Sequence, residues 1–169
     1  MRGARVGSLI GAVGGLVFVL VNAAALPSGP ALAARVLGVV GFVAVLWFAV
    51  LHGPEGTVEP SRAAIRTYTV CVVAEVLAIP LGATLLDRVV HRPELVLPWV
   101  VLVVGAHFVP FAQAFGAPLF ARLGFALAAV ALVGAVACVA VDGPEPGRWA
   151  AVLAGFVLLG FSGYPARHA

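Results

Sequence analysis

Long apolar runs alternate with short connectors rich in polar and helix-breaking residues, and this rhythm organises the whole chain. Crossing the hydrocarbon core of a bilayer takes about 20 consecutive apolar residues. Six segments reach or approach that length: Val6–Ala25, Ala31–His52, Ala64–Leu86, Leu95–Phe115, Pro118–Val141 and Gly147–Gly163. Breakers fill the connectors, at Pro27-Ser-Gly-Pro30, Gly53-Pro54, Pro93, Gly116-Ala-Pro118 and Gly143-Pro-Glu-Pro-Gly147. Proline cannot donate to a helical ladder and glycine tolerates turns, so each cluster marks a helix end. The pattern predicts an all-α integral membrane protein. Its 169 residues form a single bundle of about six transmembrane helices with short loops.

The longest connector, Gly53–Ser61, holds Glu55 and Glu59 and is expected to be a solvated loop rather than a lid. No internal repeat is visible. The N-terminal stretch, with Arg2 and Arg5 ahead of an apolar run and Ala23-Ala-Ala25, has the outline of a secretory signal. Its apolar run is long for a signal core, so the expectation is a first spanning helix. Gly7, Gly11 and Gly15 form two overlapping GxxxG steps in that helix, and Gly38 and Gly41 mark the second. Such glycines let helices approach closely. Packing within the bundle is the expected use; a homo-oligomer is the other possibility.

Composition agrees with a membrane. The chain is 63% hydrophobic and 10% charged, with a mean hydropathy of +1.14, whereas soluble domains carry about 25% charge. All 10 basic residues are arginines, against 7 acids, for a net charge of +3. They are spread one or two per connector, as lipid head groups favour, which excludes nucleic-acid binding. Arg2, Arg5, Arg62, Arg66, Arg122 and Arg167 fall on the N-terminal side, and Arg35, Arg88, Arg92 and Arg148 on the other. That bias places both termini in the cytoplasm. The lack of lysine and the abundance of Ala, Val, Gly and Leu resemble the usage of a GC-rich bacterium of the actinobacterial kind. The expected location is therefore a bacterial plasma membrane. Cys71 and Cys138 lie inside apolar segments and read as small core residues, giving neither a disulfide framework nor a metal site.

The informative residues are the polar ones inside the spans, because each is expensive to place in lipid. Arg35 and Arg122 lie near enough to helix ends to snorkel. Glu75 does not. It sits about 16 Å deep, eleven residues from either end of its span. A carboxyl there turns into the bundle, where desolvation favours its neutral form and leaves it a proton to donate. Its bland alternative is a neutral Glu that glues two helices together. Tyr68 and Cys71 precede Glu75 by seven and four residues and share its helical face. Tyr68 either orients the carboxyl through another polar group or anchors at the interface. Pro80 should kink the same helix.

The fourth span contributes Val104-Gly-Ala-His107-Phe-Val-Pro110-Phe-Ala-Gln113-Ala-Phe115. Trp99, Val103, His107, Phe111 and Phe115 follow one ridge at steps of four. If the third and fourth spans form an antiparallel hairpin, His107 lies about 12 Å from the cytoplasmic end, at a depth where it could meet Glu75. Pro110 frees the carbonyl of Ala106 as a further acceptor. Gln113 and Asn22 are weaker candidates for substrate contact, each suited to an interhelical hydrogen bond.

Glu75, Arg92-Pro-Glu94, Gly105-Ala-His107-Phe-Val-Pro110-Phe-Ala and Pro118-Leu carry a resemblance across Arg66–Arg122. The segment resembles a group of small multi-pass actinobacterial membrane proteins. It is similar in size and style to the membrane-bound, non-DxDD terpene cyclases of meroterpenoid pathways, such as the indole sesquiterpene cyclases. The resemblance implies proton-initiated cyclisation of a prenyl chain, or of its terminal epoxide, on a lipophilic prenylated substrate. From the resemblance only Glu75 carries over, as the general acid; His107 joins it through the matching depth of the two spans, and Tyr68 through the shared helical face. Aromatic faces from Trp99, Phe108, Phe111 and Phe115, with Trp47 or Trp149 in reserve, would stabilise a travelling carbocation. Aspartate occurs only at Asp87 and Asp142, so the paired aspartates that hold magnesium diphosphate are absent. There is also no HExxH, CxxC, Walker or GxSxG motif, so no metal or other cofactor is expected. The rival expectation is a small proton-coupled transporter with Glu75 as the proton or ion site.

Overall fold

The computed structural model of the protein describes residues 3–51 and 61–164. Glu55 and Glu59 of the long connector, and Arg2 and Arg167 of the orientation count, lie outside the described residues. Within them the order is α1 (Gly3–Ala23), α2 (Ser28–Val45), a π-helical turn (Leu46–Leu51), α3 (Arg62–Arg88), a 3-10 turn (Pro93–Leu95), α4 (Val96–Ala114), α5 (Pro118–Val141) and α6 (Glu145–Gly163). No strand occurs among the described residues.

Four stretches are long and apolar enough to cross a membrane: Ser28–Phe48, Arg62–Arg88, Pro93–Ala114 and Pro118–Val141. Gly7–Ala23 is a shorter apolar helix. The sixth predicted span forms a helix, but its first turn spends Glu145, Pro146, Gly147 and Arg148, which lowers its apolarity. None of the 18-residue apolar window of α3 is buried inside the protein. Val70, Val73, Leu77, Leu81 and Leu85 all face outward. So much exposed apolar surface on one helix suits a lipid environment.

The boundaries follow local chemistry. Pro118 opens α5 at its first turn, where a missing N–H costs nothing, and Asp142 closes it in a left-handed conformation at φ 51°. Ser61 caps α3, its Oγ accepting from the Ala64 N–H at 3.1 Å. The second span departs from expectation: it continues to Leu51, but as a π-helical turn from Leu46 onward.

Two compact units divide the chain, Met1–Pro60 with Val152–Ala169, and Ser61–Ala151. In the first, Ala12, Val19, Ala23, Ala31, Ala34 and Leu159 anchor a core of small aliphatic side chains. Here the GxxxG glycines are spent within the chain. A Cβ on Gly15 would stand 2.7 Å from the Gly155 carbonyl oxygen, and one on Gly11 would collide with the Ser162 Oγ. Close packing of α1 on α6 therefore uses Gly11 and Gly15, while a Cβ on Gly7 would meet nothing within 4 Å. A groove of about 400 Å³ lies beside this core, bordered by Gly41, Phe48, Phe156 and Gly160.

In the second unit α4 packs on both α3 and α5. Gly105 and Gly124 face each other where α4 crosses α5: a Cβ on either would meet the other's carbonyl oxygen at 3.0 or 2.8 Å. Val101 and Leu127 are fully buried in this seam. Cys138 is buried as well and lies against Gly147, a core thiol as expected.

Candidate functional site

The site is built on the α3–α4 hairpin. The reversal is closed by backbone bonds from Val90 N–H to Leu85 O and from Arg92 N–H to Leu86 O, with His91 at φ 57°. Arg92 Nε then donates to the Glu94 carboxylate. Such a tight turn forces α3 and α4 to run antiparallel, so residues equally far from it meet.

Glu75 and His107 do meet. Glu75 lies thirteen residues from each end of α3, about 20 Å along the axis. Its Oε2 stands 2.8 Å from His107 Nδ1, and the side chains are 21% and 14% exposed. The approach is short but poorly aligned: Nδ1 is buried and no acceptor lies along its N–H direction. The two groups are thus at proton-sharing distance without being locked in a directed hydrogen bond. The Cys71 thiol, one turn before Glu75 on α3, lies near enough to interact electrostatically with its carboxyl.

Aromatic rings gather against the imidazole. The His107 ring lies 4.1 Å from Phe108 and 5.2 Å from Phe111, centroid to centroid. Phe111 is the hub. It is 5% exposed, stacks with Tyr68 at 5.6 Å, and meets Phe108, Phe115 and Phe120 edge-on at 5.6–6.1 Å. Phe108 also stacks on Phe120, nearly parallel at 6.1 Å. Alternating stacked and edge contacts are the favoured arrangements of aromatic pairs. Tyr68 touches the site through its ring and is 41% exposed.

Three predicted site residues stand apart from this cluster. Trp99 is committed nearer the hairpin, its indole N–H donating to the Ala78 carbonyl at 3.0 Å. Gln113 is exposed. Asn22 belongs to the other unit and bonds back along its own helix to Phe18 O at 2.8 Å. Conversely, two contributors carried no signal in the pattern of a single helix. Phe120 enters from the start of α5 because Gly116, at φ 62°, turns the chain tightly between Phe115 and Pro118. Gly82 provides the notch over which the Trp99 indole lies. The short Gly116-Ala-Pro118 link was the available clue to Phe120, since it folds α5 straight back onto α4.

Chemically, the arrangement offers a carboxyl able to exchange a proton with an imidazole, beside ring faces that attract positive charge. No group of three or more His, Cys, Asp or Glu side chains is gathered to hold a metal among the described residues. Comparison with protein families, curated proteins and solved structures finds no match.

Proposed function

We propose that this chain is a membrane-bound terpene cyclase acting on a lipophilic prenylated molecule, with Glu75 as the general acid. One observation carries the proposal: a mid-span carboxyl 2.8 Å from an imidazole, which is itself packed against a cluster of aromatic rings. In this mechanism the protonated Glu75 gives its proton to the CH carbon of the prenyl chain's terminal double bond, or to its epoxide oxygen. A C–H bond forms as the alkene π bond breaks, or an O–H bond forms as the epoxide C–O bond opens, and positive charge develops on the neighbouring tertiary carbon. An internal alkene attacks that carbon, closing a ring through a new C–C bond and passing the charge along the chain. His107 or the Glu75 carboxylate removes a proton beside the final cation, leaving an alkene. The product is an isomer of the substrate, and Glu75 recovers its proton through the pair.

Phe108, Phe111, Phe115 and Phe120 supply faces for the cation by cation–π attraction, and Tyr68 flanks them. No metal or organic cofactor enters the scheme. The substrate reaches the site sideways from the bilayer of a bacterial plasma membrane, which the chain crosses about six times with both termini in the cytoplasm.

The second proposal is proton-coupled transport with Glu75 as the carrier site. It is favoured by the misaligned Glu75–His107 contact, which leaves the carboxyl free to exchange its partner. Feeding membranes farnesyl- and geranylgeranyl-bearing aromatic substrates, with and without the terminal epoxide, separates the two. A cyclase yields a product of unchanged mass and altered retention. A transporter yields none and moves solute against a proton gradient.

A further inference from the structure

We infer that Trp99 is a positioning residue for the Glu75–His107 pair, holding α3 on α4 at the one register where carboxyl and imidazole meet. The inference rests on the reading of that pair as the working site. The need for such a device comes from α3 itself. Its apolar window buries nothing, and Ala64, at its far end, is its only buried residue. A helix with so little buried surface is held in rotation and translation by few specific contacts: the hairpin at one end, the Tyr68–Phe111 stack toward the other, and the ties between them.

Trp99 supplies a further tie through two contacts. Its Nε1–H donates to the Ala78 carbonyl at 3.0 Å, three residues from Glu75 along α3. Its ring lies across Gly82, where a Cβ would fall 2.1 Å from Nε1, 2.2 Å from Cε2 and 2.6 Å from Cζ2. Only glycine leaves room for the indole there. Between the two contacts sits Pro80, which removes one donor from the helical ladder in the turn where the indole docks.

The consequences for the site follow from helix geometry. A slip of one residue shifts α3 by about 1.5 Å and turns it by about 100°. Glu75 Oε2, now 2.8 Å from His107 Nδ1, would leave the imidazole altogether. On α4, Trp99 and His107 occupy one ridge at two steps of four, so a clamp at the first sets the height of the second. An interfacial anchor would need neither the directed bond to Ala78 nor the glycine notch.

The test is a direct distance measurement. The full chain, labelled with ¹³C in glutamate and ¹⁵N in histidine, is placed in bilayers. Dipolar coupling between the Glu75 carboxyl carbon and His107 Nδ1 is then read by solid-state NMR. Wild type and Trp149→Phe, an indole removed elsewhere, should both show the short coupling. Trp99→Phe, which keeps an aromatic ring but loses the N–H, should lose it, and so should Gly82→Ala with its tryptophan intact. Cyclisation should fall about 10- to 100-fold in both, as expected when reacting groups are misplaced by about 1 Å. Should Trp99→Phe fail to fold, Gly82→Ala alone decides. Retained coupling in the folded variants, or its absence in wild type, overturns the positioning role whether or not product forms. If the coupling responds as described but wild type makes no cyclised product, the cyclase proposal fails and the positioning role stands.

Discussion

A single methyl group added at Gly105 probes how the aromatic wall is assembled. Phe108 and Phe111 on α4 reach Phe120 on α5 only because the two helices approach closely where Gly105 faces Gly124. In Gly105→Ala the new Cβ would stand 2.9 Å from Leu127 Cβ, 3.0 Å from Gly124 O and 3.2 Å from Ala128 N. Carbon atoms pack best at about 3.5–4.0 Å, so the helices must part by about half an ångström or more. None of the three atoms can rotate aside. Overpacking of this kind costs about 1–3 kcal/mol, and replacing a mid-helix glycine by alanine returns about 0.5–1 kcal/mol. The net expectation is a loss of about 0–2.5 kcal/mol, with Gly105→Ala about 1–3 kcal/mol below a Gly→Ala change that meets no neighbour. Gly14→Ala is the matched control, since a Cβ there meets nothing within 4 Å. Unfolding by a denaturing detergent in mixed micelles should show Gly105→Ala less stable than wild type and Gly14→Ala equal or more stable. Aromatic NMR signals of Phe108 and Phe120 should shift only in Gly105→Ala. Equal stability of the two variants would refute the close crossing.

Ser61→Ala removes the hydroxyl that accepts from the Ala64 N–H, and should destabilise the start of α3 by about 1 kcal/mol, visible as faster amide exchange there. A farnesyl chain ending in trimethylammonium should inhibit cyclisation about 2- to 30-fold better than its neutral tert-butyl isostere, the range set by a cation–π gain of about 0.5–2 kcal/mol. Equal inhibition by the two would argue that the rings do not stabilise charge.

The fold was legible where chemistry punctuates the chain. Pro118 and the Asp142-Gly143 stop delimit α5 at the boundaries that the pattern predicts. Where the sequence is uniformly apolar, it is silent about backbone geometry: Leu46–Leu51 carries no residue that distinguishes a π turn from an α turn. The meeting of Glu75 with His107 was readable because depth in an antiparallel hairpin needs only counting from the turn. Ring contacts between helices were not. Phe120 joins Phe108 and Phe111 across an interface set by two glycines, which the periodicity of either helix alone does not report. Trp99 sits on the predicted ridge, yet its N–H is directed at Ala78 across a glycine that looked like any other small residue in an apolar span. Asn22 was expected to bond across helices and instead satisfies its amide on Phe18, one turn back.

The most direct measurement is isotopic. Membranes carrying wild type or Glu75→Gln are equilibrated in D₂O and given the farnesyl- and geranylgeranyl-bearing substrates. If Glu75 starts the reaction, its exchangeable site delivers deuterium to the CH carbon of the terminal double bond of a non-epoxidised chain. The wild-type product then carries one deuterium and the altered retention of a cyclised isomer. Glu75→Gln, folded and inserted as wild type, should give no such product. A cyclised product free of deuterium at that carbon, or an equal yield from Glu75→Gln, would contradict Glu75 as the acid. The absence of any cyclised product from wild type would contradict the cyclase itself.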